Sequence, residues 1–335
     1  MCWGSNALGA LGDGTGEDSS VPVNVGGGGG SAGWTSISAG ANHSCGIRAG
    51  VALCWGNNST GQLGDGTNTA SAMVPVNVGG GVGSAGWTAI SAGDYHSCGV
   101  RAGVALCWGL NSSGQLGDGT NGASLVPVNV GGGGGTPGWT AIFAGLGHSC
   151  GVRAGVALCW GNNSAGQLGD GTNTPSLVPV NVGGGGPLGW TAISAGDSHS
   201  CGVRAGVALC WGYGGDGRLG VGNTTASLVP VNVGGGGGSA GWTAISASGL
   251  YSCGVRAGVA LCWGDNYSGR LGDGTNTASL TPVNVSGPLG WTAISAGQGH
   301  SCGVRAGVAR CWGYNNSGQL GDGSNTASLV PVNVA

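Results

Sequence analysis

The stretch HSCGVRAGVALCWG at residues 96–109 places eight residues between Cys98 and Cys107, with His96 two positions before the first cysteine and Trp108 directly after the second. Thiols and an imidazole so placed could hold zinc, act as a dithiol redox centre, or close a structural disulfide. The arrangement returns at Cys45 and Cys54, Cys150 and Cys159, Cys201 and Cys210, Cys253 and Cys262, and Cys302 and Cys311, which leaves Cys2 without a counterpart.

A two-residue turn at Ala102 and Gly103 would set Cys98 opposite Cys107 on adjacent antiparallel strands. Counting outward from the turn makes this a non-hydrogen-bonded pair, where side chains approach most closely. That suits a cross-strand disulfide, whose Cβ atoms come within about 4 Å. Closing each such loop is worth roughly 2 to 3 kcal/mol in the chain-entropy model, which offsets part of the backbone entropy lost by glycine-rich strands. Zinc is the competing reading, since His96, Cys98 and Cys107 converge. Structural zinc favours four ligands with closely spaced cysteine pairs, and Tyr251 stands where the other units have histidine. Reduced thiols packed as small hydrophobes are a third reading and suit a reducing cytosol.

The other polar residues of the pattern carry less. His43, His96, His148, His199 and His300 follow AGxx and read as structural hydrogen-bonding groups at a sheet corner. Arg48, Arg101, Arg153, Arg204, Arg256 and Arg305 flank the hairpin turn and read as solvated or paired across units. One aspartate per unit (Asp13, Asp65, Asp118, Asp170, Asp273, Asp322, with Val221 breaking the series) is too sparse for a calcium loop and reads as turn chemistry. No paired carboxylates, Ser-His-Asp set or Walker loop stands out, so neither a catalytic residue nor a cofactor is expected. GGGGG at 131–135 reads as a linker.

What must position these residues is a repeat. CWG begins at residues 2, 54, 107, 159, 210, 262 and 311, and GWT carries its tryptophan at Trp34, Trp87, Trp139, Trp190, Trp242 and Trp291. A period near fifty marks stacked or circular supersecondary units. Six full units (33–78, 86–130, 138–182, 189–233, 241–285, 290–334) follow a half unit at 1–25, within one domain spanning 1–335. In the unit at 86–130 the segments WTAISAG, HSCGVR, VALCWG and VPVNV are rich in strand formers and bounded by Gly, Asn, Asp and Ser. Four antiparallel strands repeated six or seven times predict an all-β fold, a β-propeller of six to seven four-stranded antiparallel blades with one blade incomplete. Small residues suit the first strand to the crowded hub. Proline at Pro22, Pro75, Pro127, Pro179, Pro230, Pro282 and Pro331 suits the fourth to the rim, where no further strand needs its missing N–H.

Composition narrows the class further. Glycine supplies 82 of 335 residues, charged residues are 6%, and nine arginines with no lysine leave a net charge of -3. Such a balance offers no basic stripe for a phosphate backbone, so nucleic acid is not expected as a partner. No apolar run is long enough to predict a membrane-spanning helix. The opening MCWGSNALGALGDG lacks the basic and apolar regions of a secretory signal. Cysteine pairing nevertheless predicts an extracellular or cell-surface location.

The combination AGxxHSC, a hairpin, CWGxNxxGQLGDGT and P-V resembles the regulator of chromosome condensation repeat family over essentially the whole chain. The most specific string is WG-x-N-x-x-GQLG-x-G, as in Trp108 to Gly119. The resemblance implies a six- or seven-bladed propeller that works by binding other proteins. One branch of the family exchanges nucleotide on a small nuclear GTPase and touches nucleosomes; another covers the active site of β-lactamases. The insertions and basic tails of the exchange branch have no counterpart in this lysine-free chain, and the cysteine-paired form resembles bacterial, secreted members.

Comparison of the units with one another shows where they differ. After AG the residues include Asp94 and Tyr95, Leu146, Asp197, Leu250 and Gln298; after CWG they include Leu110, Tyr213 and Tyr314, with Arg218, Tyr267 and Arg270 nearby. In an up-and-down blade the first and third connections emerge on the same side, so these residues are expected to form one non-catalytic, protein-binding face. The rival readings are a carbohydrate-binding propeller that uses the tryptophans, and a non-binding fragment of a larger surface protein. The half unit's open edge also predicts dimerisation or strand exchange.

Overall fold

Six four-stranded antiparallel sheets, each pairing its strands in chain order, and a separate two-stranded sheet formed by β1 (Cys2–Gly4) and β2 (Ser19–Val23) make up the computed structural model. It describes all residues except 27–31, 81–82, 134, 185 and 236–238. The fold is all-β: six complete blades and one incomplete blade. Gly134 of the 131–135 linker lies outside the described residues.

The second full sheet shows the local logic. Its strands are Trp87–Ala92, His96–Arg101, Val104–Gly109 and Ser124–Asn129. Ala102 (φ 49°) and Gly103 (φ 76°) form the two-residue turn with both residues left-handed, the twist that suits a tight hairpin. That turn sets Cys98 against Cys107 and His96 against Gly109. In the outer ladder the register shifts between Ser124 and Val128, so Pro127 sits in an irregularity on an edge strand and withholds no ladder bond.

The chain divides into two compact units. In the first (Met1–Asp18, Val23–Asn163 and Thr174–Val180), Cys45, Ile47, Ala52 and Cys54 of one sheet pack on Trp87, Ile90, Ala92 and Leu106 of the next. In the second (Ser19–Pro22, Ser164–Asn173 and Asn181–Ala335), Cys201, Val203, Ala208 and Cys210 pack in the same way on Trp242, Ile245, Ala247 and Leu261. Each aliphatic side chain so buried contributes roughly 1.5 to 3 kcal/mol. Trp108 is fully buried, meets Trp87 edge-to-face at 5.7 Å, and donates its indole N–H to the Gln62 carbonyl at 2.9 Å. A Cβ on Gly64 would lie 2.6 Å from that indole, so glycine is needed there for close approach as well as for its φ of 69°.

The GQLGDGT segment is held by its own side chains. Asn111 accepts the Leu116 N–H and donates to Asp118 and to the Thr120 carbonyl, while Asp118 accepts both the N–H and the hydroxyl of Thr120. The aspartates are turn residues, as expected. The loop then docks on the following fourth strand: the Gly66 N–H donates to Leu125 and Gly119 to Leu177 in the first unit, and Gly274 donates to Leu329 in the second. In the second unit Gly323 makes the same bond to the Ser20 carbonyl of β2, so the half unit presents a fourth strand like any other.

Candidate partner-binding loops

The first connection of each sheet is tied to the third. The Leu110 N–H donates to the Tyr95 carbonyl at 3.0 Å, Tyr213 to Ser198 at 2.9 Å, Asp265 to Leu250 at 3.2 Å and Tyr314 to Gly299 at 3.0 Å. Residues that vary between units are thereby brought together at one end of each sheet, opposite the RAGV hairpins.

In the first unit this end carries exposed Tyr95 beside half-buried Asp94, Leu110 and Leu146. The second unit displays more: Tyr213 is 47% exposed, Leu250 41% and Tyr267 70%, with Gln298 exposed and Asp197 and Tyr314 half-buried. Two expected contact residues are placed differently. Arg218 and Arg270 are only 4% and 6% exposed, so they support this end rather than present a cation to a partner.

Their burial follows from the loop that holds them. Arg218 donates to the carbonyls of Gly215 and Gly249, pairs with Asp216 at 2.7 Å, and lies under the Tyr213 ring at 4.8 Å. Arg270 donates to the Tyr267 carbonyl, approaches Asp265 at 3.3 Å, and faces the rings of Tyr251 and Tyr267. With donors met by carbonyls and carboxylates, each guanidinium tolerates burial.

Other loops have glutamine at this position, and its Oε1 accepts the N–H two residues earlier: Gln62 from Thr60, Gln115 from Ser113, Gln167 from Ala165. Where glutamine is replaced, that earlier residue turns left-handed, as at Asp216 (φ 60°) and Ser268 (φ 62°) before the two arginines and at Leu8 (φ 64°) before Ala10. Glutamine therefore accompanies one loop shape, and its replacement by arginine or alanine accompanies the other. The signal lies in the GRLG variants at 217–220 and 269–272.

Asp197 reaches across the loop of the next sheet to Gln298, two sheets on in the second unit. Burial pushes its carboxyl above the usual carboxylate range, opposed by a hydrogen bond from Gln298 and by the Arg218 charge. A Cβ on Gly249 would fall 2.9 Å from Asp197 Oδ2 and 3.0 Å from Gln298 Oε1, so glycine lets the two side chains meet above it.

The cysteines form six disulfides, each joining residues with Cα atoms 4.0 to 4.1 Å apart. Histidine is structural: His43 Nε2 meets Ser97 Oγ at 2.8 Å and His96 Nε2 meets Ser149 Oγ at 2.7 Å. Burial lowers their pKa values to about 4 and about 3, so both are neutral at pH 7. Tyr251 does the same work where histidine is missing, donating to the His300 carbonyl at 2.7 Å and meeting Ser301 Oγ at 2.8 Å. Of the two expected placements, the hairpin arginines are partly solvated rather than paired across sheets: Arg101, Arg153, Arg204, Arg256 and Arg305 lie over the GWT tryptophan of their own sheet, 5.2 to 5.5 Å from its ring. Those five tryptophans are buried in packing. Among the described residues no helix is long and apolar enough to cross a membrane.

A model of the "Regulator of chromosome condensation (RCC1) repeat" family matches residues 2–47, 49–100, 102–152, 154–203 and 257–304, well over half of the chain. The ultraviolet-B receptor UVR8 of Arabidopsis thaliana is 30% identical over 269 residues, covering 73% of this chain and 56% of that protein. The human E3 ubiquitin-protein ligase HERC2 is 29% identical over 215 residues, covering 59% of this chain and 4% of the ligase. The chain thus spans about half the length of the first relative and a small part of the second. Among solved structures, human WBSCR16 superposes with a TM-score of 0.79 at 20% identity, covering 99% of this chain and 92% of that one. Yeast RCC1 (Prp20) bound to Kap60 superposes with a TM-score of 0.81 at 18% identity, covering 100% and 83%. Saccharomyces cerevisiae Prp20p is also described with binding properties toward Gsp1p and histones. At these identities the superpositions establish the fold.

Proposed function

Because the chain belongs to the RCC1 repeat family, we propose that it is a non-catalytic protein-interaction module, engaging a protein partner through the loops that vary between its units. The observation that carries this reading is in the second unit. Tyr213, Leu250 and Tyr267 are its exposed large side chains on these loops, in a chain whose units are otherwise near copies. Aromatic anchors on rigid supports are the usual centres of binding energy. Tyr213 and Tyr267 have that support from the guanidinium beneath each ring. Asp94, Tyr95, Leu110 and Leu146 form a smaller patch of the same kind in the first unit. Protein binding by RCC1-type propellers such as Prp20 is in keeping with this role.

Six disulfides suit an oxidising compartment, so an extracellular or cell-surface location accompanies the proposal. The test is affinity capture with the native chain beside a Tyr213→Ala, Leu250→Ala, Tyr267→Ala variant whose thermal melt is unchanged. The expected result is a captured protein that the variant loses and that Ala102→Ser, on the opposite hairpins, retains. Equal capture by all three chains would refute the assignment.

A further inference from the structure

The two ends of the sheets in the second compact unit differ in charge. This unit has no glutamate, and its aspartates all lie in the first or third connections, at the end that carries the variable loops. Arg204, Arg256 and Arg305 close the second strands at the opposite end. Each guanidinium lies 5.2 to 5.5 Å from the ring of Trp190, Trp242 or Trp291, a contact that holds it in place without neutralising it. Among the described residues the ion pairs of this unit are those of Arg218 and Arg270 near the variable loops, so the three hairpin cations meet no carboxylate.

The linkers at the hairpin end are not equivalent. The one before Trp242 ends in Ser239, Ala240 and Gly241, whereas those before Trp190 and Trp291 end in Pro187, Leu188, Gly189 and in Pro288, Leu289, Gly290. Leu188 is 70% exposed and Leu289 is 69% exposed. The Ala205 N–H donates to the Gly189 carbonyl at 3.0 Å and the Ala306 N–H to the Gly290 carbonyl at 3.2 Å, which seats each leucine beside the hairpin that follows Arg204 or Arg305. A proline before each leucine and a left-handed glycine after it (φ 92° and 106°) restrict the backbone that presents the side chain. A single exposed leucine is ordinary. Here two recur at equivalent positions, at the end that carries the unpaired cations.

We propose that this end of the second unit docks on an anionic lipid bilayer, with Arg204, Arg256 and Arg305 on the headgroups and Leu188 and Leu289 inserted among the acyl chains. The two leucines stand at the entries to the first and third of three successive sheets. One side chain or short segment of a partner cannot cover both, whereas a surface that is anionic outside and apolar beneath meets both at once. Shallow apolar insertion combined with attraction of basic groups is the usual basis of attachment without a spanning element. The surface lies opposite the variable loops and does not depend on them.

The test is cosedimentation of the purified chain with vesicles of three parts phosphatidylcholine to one part phosphatidylserine, beside vesicles of phosphatidylcholine alone. The expected result is binding to the anionic vesicles only, weakened about tenfold or more as sodium chloride rises from about 0.1 to about 0.5 M. A Leu188→Ser, Leu289→Ser variant changes only exposed side chains and should keep the native melting temperature; its vesicle affinity should fall about tenfold or more. An Arg204→Gln, Arg256→Gln, Arg305→Gln variant should lose the preference for anionic vesicles, and the salt titration reads the same dependence on the native chain. The proposal is overturned by absence of binding to the anionic vesicles, by equal binding to the neutral ones, or by a leucine variant that binds as the native chain does. Tighter binding of soluble polyglutamate than of the anionic vesicles would also overturn it, and would assign the surface to an acidic protein.

Discussion

An exchange of glutamine for arginine is shared by the two loops that display Tyr213 and Tyr267 and absent from those built on Gln62, Gln115 and Gln167. Glutamine satisfies an N–H two residues earlier, whereas arginine extends beneath a tyrosine ring and leaves the earlier residue left-handed. Arg218→Gln should therefore leave the sheet intact while freeing Tyr213 from its cationic support. Partner affinity is expected to fall about tenfold, in line with the roughly 1 kcal/mol or more of a desolvated cation–π contact, with the melting temperature nearly unchanged. Titration calorimetry of the two chains checks this, and unaltered affinity would mean that the arginine has no positioning role. The exchange is legible as GRLG at 217–220, but its consequence is not. Whether a long cation points to solvent or folds under a ring depends on loop conformation, which neither composition nor spacing specifies.

At the scale of the element, the hairpin joining the second and third strands is the part most legible in the sequence. Two residues between Arg101 and Val104 dictate the turn, the turn dictates the register, and the register brings Cys98 onto Cys107. Replacing both by alanine should cost roughly 2 to 3 kcal/mol, read as a lower denaturation midpoint; an unchanged midpoint would contradict a stabilising role for this disulfide. The turn itself holds a correctable defect. Ala102 adopts φ 49°, a conformation that costs a β-carbon-bearing residue roughly 1 to 2 kcal/mol and that asparagine tolerates better. Ala102→Asn should raise stability by about 0.5 to 1 kcal/mol on that account, and a lower melting temperature would contradict the turn assignment. The arginines beside this turn were less legible. Stacking on Trp87 or Trp139 depends on how strand one lies against strand two, a distance that one-dimensional spacing does not contain.

At the scale of the whole molecule, units that pack mainly on their neighbours repeat one buried histidine contact in sheet after sheet. His43, His96 and His148 are fully buried, and burial depresses their pKa values from 6.5 to about 4, about 3 and about 4. The unfolded chain takes up protons first, so these residues contribute their full stability above about pH 6.5 and lose it as pH falls toward their folded values. The expected outcome is a melting temperature that declines between pH 6.5 and pH 4.5, before most carboxylates titrate; a flat profile over that interval would contradict the neutral, buried assignment.

The central claim is that partner contact is made by the variable loops. It is tested most directly by hydroxyl-radical footprinting of the second unit, free and in complex with a captured partner. The account predicts protection of Tyr213, Leu250 and Tyr267 with the hairpins at Arg204, Arg256 and Arg305 unchanged. Protection of the hairpins with all three loop residues still reactive would contradict it.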